Sequence, residues 1–481
     1  MTTSSGGTRK IVINPVTRVE GHGKVTLHVD EAGTVTQARF HIIEFRGFER
    51  FVLGRPYWEA PVIVQRLCGI CPVSHHLCAS KAMDVIIGAD KLTTTAEKIR
   101  RLMHYGQTYQ SHALHFFHLA SPDLLFGFDA PVAKRNVIGV IREYPETATK
   151  AVLMRKFGQE VIRITSGKRI HGTGSIPGGM NKNVSVEERD ELLKDADKMV
   201  EWAVEGLQLC KKIVLADAER LLAFGSFDSN HVSIVREDGC LDLYDGKLRA
   251  KDAQGNTIFD QVAPADYMNY IREGVNPWSY MKFPFILSLG KEKGWYRVGP
   301  LARINNCDYI DTPLAEKERQ EFMALGNGKP INSTMAYHWA RMIETVHAAE
   351  KIRELLPDPD LQGTDLLTSG QRRRRGVAWI EAPRGTLFHH YEVNENDQIT
   401  LANLIVSTTN NNEAMNQAVR VVARQYLDGK EITEGLLNHI EVGIRAYDPC
   451  LSCATHALGK MRLHVQLLDA NGAVLDEKVR G

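Results

Sequence analysis

Asp448-Pro449-Cys450-Leu451-Ser452-Cys453-Ala454-Thr455-His456, close to the C-terminus, is the stretch around which the chain is read. Its counterpart lies far upstream: Arg66-Leu67-Cys68-Gly69-Ile70-Cys71-Pro72-Val73-Ser74-His75. Each holds a Cys-x-x-Cys pair with a histidine shortly after it. Four thiolates at two such spacings make a soft, sulfur-rich metal site once the fold unites them. A zinc ribbon would place its second pair roughly 15–20 residues after the first. Here the pairs stand at opposite ends of the chain, so everything between them reads as scaffold. From these residues alone a redox metal, a structural zinc and unrelated thiols all stay open.

A chain of 481 residues has room for two or three domains, or for one large core with insertions. Its composition, 43% hydrophobic and 24% charged, is that of an ordinary globular protein. A formal net charge of +1 argues against nucleic acid or an anionic membrane as partner. Met1 to Lys10 is polar and does not read as a signal peptide, and no apolar run approaches the roughly 18 residues that span a bilayer. A cytoplasmic location is expected. In that setting the other cysteines, Cys78, Cys210, Cys240 and Cys307, are expected to be plain buried thiols rather than disulfides.

Outward from the cysteine pairs, the periodicity predicts a mainly α fold with a small N-terminal β-segment: an α+β chain with a large helical-bundle core and irregular insertions. Val25, Leu27 and Val29 alternate with polar residues, as do Phe40 and Ile42 after a turn near Gly33, which predicts an antiparallel β-segment within residues 1–60. The helical core is expected over 61–456. Thr94-x-x-Glu97 and Ser185-x-x-Glu188 read as capping boxes, the second opening a helix that could run to Phe224. Residues 226–300 are rich in Gly, Asp, Asn and Pro and are expected to form an irregular surface insertion. Helices are predicted over 336–356, 413–427 and 433–445, the last delivering the chain to Asp448. Residues 457–481 read as a hairpin turning at Asn471-Gly472.

Three further motifs have plain explanations. Arg372 to Arg375 reads as a solvated loop rather than a phosphate site. Gly172 to Gly178 lacks the spacing and the preceding strand of a nucleotide loop. His112, His115 and His118 share a helix face, which suggests either a metal site or packing at a subunit interface.

The two cysteine motifs resemble the signatures of the [NiFe]-hydrogenase large subunit. Arg18-Val19-Glu20-Gly21-His22, Arg46-Gly47-Phe48-Glu49 and Ala382-Pro383-Arg384-Gly385 resemble other motifs of that family, in its order, so the resemblance covers nearly the whole chain. Ser175 to Gly179, Trp278 to Pro284 and the tail most resemble the bidirectional, NAD-linked cytoplasmic type.

The resemblance implies reversible, heterolytic cleavage of H₂. Cys68, Cys71, Cys450 and Cys453 would hold nickel, with Cys71 and Cys453 bridging to an iron that carries CO and CN⁻ ligands. A proton would pass from Cys450 to Glu20, which read alone is an ordinary acid beside Arg18. Arg384 would hang above the metals, with Pro383 and Thr408 also facing the iron ligands. The hydroxyl role could equally fall to Ser407, which stands where the family often has proline. Asp123 and Asp448 would orient Arg384, and His75 would donate to a bridging sulfur. Glu49, the backbone carbonyl of Leu404 and His456 would bind Mg²⁺, with Glu44 a nearby acidic alternative.

The four remaining cysteines do not form a set that could hold an iron–sulfur cluster, and no flavin or NAD fingerprint is present. Electrons are therefore expected to leave through partners: a small subunit with an iron–sulfur cluster and, in NAD-linked enzymes, diaphorase subunits carrying FMN. The resemblance further implies that a nickel-dependent maturation protease cuts between His456 and Ala457. The released hairpin is expected to pair with the N-terminal β-segment in the precursor and to hold the two cysteine pairs apart. Rival readings are a hydrogenase coupled to NADP or a deazaflavin, a non-catalytic relative of the quinone-binding part of respiratory complex I, and a zinc-stabilised interaction protein.

Overall fold

The computed structural model describes residues 9–427, 433–456, 463–468 and 474–480. Arg9–Ile13, Gly23–Val29 and Val35–Ile42 form an antiparallel sheet in chain order. The alternation works as predicted: Val25 faces Phe40 and Leu27 faces Ala38 on the buried side. The Phe40 N–H donates to Asn416 Oδ1 at 2.8 Å, which ties this sheet to the helix Asn412–Leu427.

The long helices are α1 (Pro72–Ile86), α2 (Thr94–Leu114), α3 (Pro145–Ser166), α4 (Val186–Ala216), α5 (Ala336–Leu355), α6 (Asn412–Leu427) and α7 (Glu434–Arg445). Helix α2 packs against α3 and α5, and α5 against α4. Gly106 and Gly158 are what allow α2 and α3 to cross closely. A Cβ on Gly106 would lie 2.7 Å from Val161 Cγ1, and one on Gly158 would lie 2.7 Å from the Gly106 carbonyl. Past Leu114 the helix widens into a π-helical turn, His115–Ala120, a feature that recurs near functional sites.

Helix α4 opens with the Ser185–Glu188 capping box as expected, but it breaks at Asp217, and a short helix, Ala218–Ala223, follows. Helix α2 starts one residue earlier than read. Thr93, not Thr94, is extended and accepts from the Ala96 N–H, while Glu97 pairs with Arg101. Two adjacent threonines offer the same hydroxyl, and only the backbone chooses between them.

The larger correction concerns strand content. Residues 226–300 are not an irregular surface insertion. Asn230–Val235, Lys247–Lys251 and Thr257–Val262 form an antiparallel sheet, extended by Tyr296–Arg297 parallel to the first strand. Val232, Ile234, Leu248 and Ala250 are buried with Val377, Trp379 and Phe388 of another sheet, Arg375–Ala382, Gly385–Val393 and Ile399–Ile405. The fold is mixed α+β with several small sheets beside its helices, so its β structure extends well beyond the N-terminal segment. The strand Asn230–Val235 is buried on both faces and so shows no alternation. The Gly and Asp residues around it serve short connections between strands.

In the tail, Leu463–Leu468 and Val474–Arg480 pair with one another as a separate two-stranded sheet. Among the described residues the hairpin does not join the N-terminal sheet, contrary to expectation, and its Asn471-Gly472 turn lies outside them. No described helix is long and apolar enough to cross a membrane.

Candidate metal centre

The first cysteine pair is set at the start of α1. Cys68 follows a 3-10 turn, and its sulfur accepts the N–H groups of Ile70 and Cys71, each at 3.2 Å. Cys71 is the N-cap of α1, with Pro72 in the first turn, where Pro's fixed φ suits a helix start. The second pair follows the end of α7. Cys450 lies in an extended bridge with Glu20, and Cys453 in the 3-10 turn Ser452–Ala454. The four sulfurs lie within 4.8 Å of one another and all four residues are buried. Cys450 Sγ is 3.2 Å from Cys68 Sγ and 2.6 Å from Cys453 Sγ. The cysteines therefore converge with the tail still attached, so the tail does not hold the pairs apart.

Burial opposes ionisation of Cys68, but hydrogen bonds from Cys450, Cys453 and Cys71 and the charge of Arg384 hold its thiol well below the usual range. Hydrogen bonds from Cys450 and Cys453 bring Cys71 down to about 6. Burial pushes Cys450 and Cys453 well up. A bound soft cation would deprotonate all four.

Glu20 reaches this cluster. The Cys450 S–H donates to Glu20 Oε2 at 3.0 Å, the Ser452 N–H to the same oxygen at 3.1 Å, and the Ser452 hydroxyl to Oε1. Arg384 is buried; it donates to Asp448 Oδ1 at 3.0 Å and to Ser111 Oγ at 3.3 Å, while its Nε has no partner. Burial raises Asp448 to about 6 against the opposing charges of Arg384 and Arg341. The two candidate hydroxyls separate cleanly: Thr408 accepts the Cys450 N–H at 3.0 Å, whereas Ser407 donates to the Gly385 carbonyl. Pro383 offers its carbonyl to Arg303, which also binds the Ala382 carbonyl and the buried carboxylates of Glu344 and Glu381.

Two expectations are corrected. Asp123 does not touch Arg384; it binds Arg18 at 2.6 Å, Arg445 at 2.9 Å and Arg135 at 3.4 Å. The position beside Arg384 belongs to Ser111, one helical turn before the π-helical segment, where no sequence motif marks it. His75 makes no hydrogen bond to sulfur; its Nδ1 meets His389 Nε2 at 3.4 Å, and His389 Nδ1 meets the Tyr391 hydroxyl at 2.9 Å. Arg303 also escaped the sequence reading, since a lone arginine before two asparagines carries no signature.

A second constellation lies beyond the cysteines. Glu49 accepts the Leu404 N–H at 2.8 Å and the Lys282 ammonium at 3.0 Å. Burial raises its carboxyl despite the Lys282 charge. His456 is buried with neither ring nitrogen hydrogen-bonded, and burial lowers its imidazole to about 3. Glu44 faces His22 instead, at 3.1 Å, and its other oxygen is buried without a partner. His112 binds Glu344, and His115 binds the Arg445 carbonyl, so these histidines do not converge on a common point. Arg372, Arg373 and Arg374 pair with Asp397, Asp90 and Glu395, as a solvated loop would.

Residues 46–134 and 226–456 match the family described as nickel-dependent hydrogenase, and residues 10–45 one described as HoxL-like. NAD-reducing hydrogenase HoxS subunit beta of Cupriavidus necator is 48% identical over 489 residues, covering 98% of this chain and 100% of that one. An F420-non-reducing hydrogenase (vhc) polypeptide of Methanococcus voltae is 43% identical, covering 94% and 96%. The crystal structure of an NAD⁺-reducing [NiFe]-hydrogenase in the H₂-reduced state aligns with a TM-score of 0.92 at 56% identity, covering 94% of this chain and 100% of that one.

Proposed function

The chain belongs to the nickel-dependent hydrogenase family, and on that premise we propose that it is the catalytic large subunit of an NAD⁺-reducing [NiFe]-hydrogenase. The observation that carries the reading is the buried set of four sulfurs with a carboxylate 3.0 Å from one of them. The donor set fits: four soft thiols, two of them already inclined to ionise, suit nickel and iron. When bound, those metals supply the redox-active Lewis acid at which H₂ is split heterolytically.

The chain's own residues handle the proton. Cys450 Sγ holds it first and passes it to Glu20 Oε2, breaking an S–H bond and forming an O–H bond. Glu20 is half-buried, and a carboxylate is the kind of group that can take up and pass on a proton. Arg384, fixed between Asp448 and Ser111, presents a guanidinium whose Nε is free to bond a ligand of the iron. We assign CO and CN⁻ to that iron, with Pro383, Arg384 and Thr408 around them.

Glu49, the Leu404 carbonyl and His456 would hold Mg²⁺. The buried, partnerless ring of His456 supports this, because such a ring calls for a donor or a cation. Residues 1–60 would then be a segment packed on the metal-binding core of 61–456, and 457–481 an extension removed by a nickel-dependent protease. The NAD-reducing relative supports partners that carry iron–sulfur clusters and FMN, and a cytoplasmic location where NAD⁺ is found.

The test uses the native complex, recovered through an N-terminal tag. H₂-dependent reduction of NAD⁺, NADP⁺ and a viologen dye is assayed alongside nickel and iron content. Rapid NAD⁺ reduction is expected. Dye reduction without NAD⁺ reduction would retain the hydrogenase and replace its acceptor; zinc without nickel would overturn the reading. Intact mass checks the tail, since an active enzyme still ending at Gly481 rules out the cut.

A further inference from the structure

Glu20 and Cys450 are joined by a parallel β-bridge, with the Leu451 N–H donating to the Glu20 carbonyl at 2.9 Å. Two residues before each of them stands a non-glycine residue in the left-handed region: Arg18 at φ 55 and Asp448 at φ 53. Side chains with a Cβ resist that conformation, and it persists only where surrounding contacts impose it. The strand bearing Glu20 therefore relies on outside contacts for its path, and those contacts can be traced.

They converge on Asp123. Its Oδ1 accepts from Arg18 Nη2 at 2.6 Å, and its Oδ2 from Arg445 Nη1 at 2.9 Å. Arg18 also donates to the Leu119 carbonyl at 2.9 Å, so both of its Nη atoms are committed. Arg445 also gives Nε to the Thr17 carbonyl and Nη2 to its hydroxyl, each at 2.9 Å, with further bonds from Nη1 to Asn438 Oδ1 at 2.9 Å and from Nη2 to Glu441 Oε2 at 2.7 Å. Glu441 accepts the Thr17 N–H at 2.6 Å, closing the clamp from the same helix. Asp123 and Arg445 are almost fully buried, at 3% and 2% exposure, while Arg18 retains 18%. In such surroundings a charge-assisted pair holds its geometry tightly, and removing one partner strands the other.

We propose that Asp123, acting through Arg18 and Arg445, is a positioning residue that holds Glu20 at proton-transfer distance from Cys450. It spans the two segments that must stay in register: Thr17–Glu20, and the end of α7 that leads to Asp448 and Cys450. Nothing in this clamp touches the four sulfurs, so it acts on the proton's path rather than on the metals. The proposal rests on the reading of Glu20 as the proton acceptor.

The test compares Asp123→Asn, Asp123→Glu, Arg18→Lys, Glu20→Gln and the double variant Asp123→Asn/Glu20→Gln in the assembled complex. Nickel and iron content, melting temperature, H₂/D⁺ exchange and its solvent isotope effect are measured for each. Asp123→Asn and Arg18→Lys are expected to keep both metals, to slow exchange at least tenfold and to raise the isotope effect, with Asp123→Glu partly restoring the rate. In the Glu20→Gln background, Asp123→Asn should change the exchange less than twofold. A fall of equal size in that background would overturn the proposal, because the effect would then bypass Glu20. So would unaltered exchange in metal-replete Asp123→Asn, or loss of nickel and iron from both Asp123→Asn and Arg18→Lys, which would assign the clamp to assembly. Normal exchange in Glu20→Gln alone would instead sink the relay reading itself.

Discussion

The carboxylate of Glu20 lies 3.0 Å from the sulfur of Cys450 across a separation of 430 residues. A backbone bridge joins the same two residues, so the main chain holds their side chains on neighbouring positions. On the proposed relay, a proton leaving Cys450 would pass to this carboxylate first.

Glu20→Gln keeps the side chain's length and an oxygen for the Ser452 N–H but removes the group that gains and loses the proton. A positioned acid or base contributes about 10²–10⁴-fold to rate. H₂/D⁺ exchange should fall by about 10²-fold or more with nickel and iron content unchanged, and exchange at the normal rate would remove Glu20 from the path.

Arg384 uses two nitrogens of one planar group to reach Asp448 and Ser111 together. A lysine offers a single point charge and cannot reproduce that fork. Removing a fixed donor beside a reacting centre costs about 10²–10³ in kcat. Arg384→Lys should lower kcat for viologen reduction by that order while the protein still binds nickel; kcat within twofold of the unmodified enzyme would contradict the assignment.

Arg303 sits fully buried between Glu344 and Glu381 and anchors the carbonyls that precede Arg384. Deleting one partner of a buried ion pair costs about 3–5 kcal/mol. Arg303→Ala should therefore lower the melting temperature markedly, whereas Arg373→Ala, which breaks the exposed pair with Asp90, should leave it unchanged. Equal effects of the two substitutions in calorimetry would be incompatible with this picture.

Acid should loosen the fold before it attacks the carboxylates. Burial lowers His76, His104, His112 and His347 to about 4, and His231 and His338 to about 3. In the unfolded chain these rings take up protons near pH 6.5. Between that value and the folded ones the unfolded state binds more protons, so stability rises with pH across the window. It is complete above about 6.5 and is lost progressively as the pH falls toward 4 and below. The melting temperature should hold from pH 7.5 to about 6.5 and then drop steadily toward pH 5.0, and a flat profile over that lower range would show that the rings are not held neutral.

Much of the site was legible because its chemistry is local. Two Cys-x-x-Cys pairs announce a sulfur-rich metal site by spacing alone, and the Ser185–Glu188 cap by three-residue geometry. Family resemblance extended this to Glu20, Arg384 and Thr408, and the fold brings all three to the cysteines or to Asp448, which precedes them. It misled at Asp123, whose charge is spent on Arg18, Arg135 and Arg445.

By itself the sequence determined which ligand atoms are available, where the helices near Thr94 and Ser185 begin and those over 336–356, 413–427 and 433–445 run, and that the N-terminal strands bury one face. Those properties depend on residues within a few positions of one another. Only the tertiary structure decided that residues 230–262 form a buried sheet against Trp379 and Phe388, that Ser111 rather than Asp123 meets Arg384, and that the cysteines meet with the tail in place. The reason is physical: a strand buried on both faces has no period to read, and an ion pair between distant segments leaves no mark on either segment's own pattern.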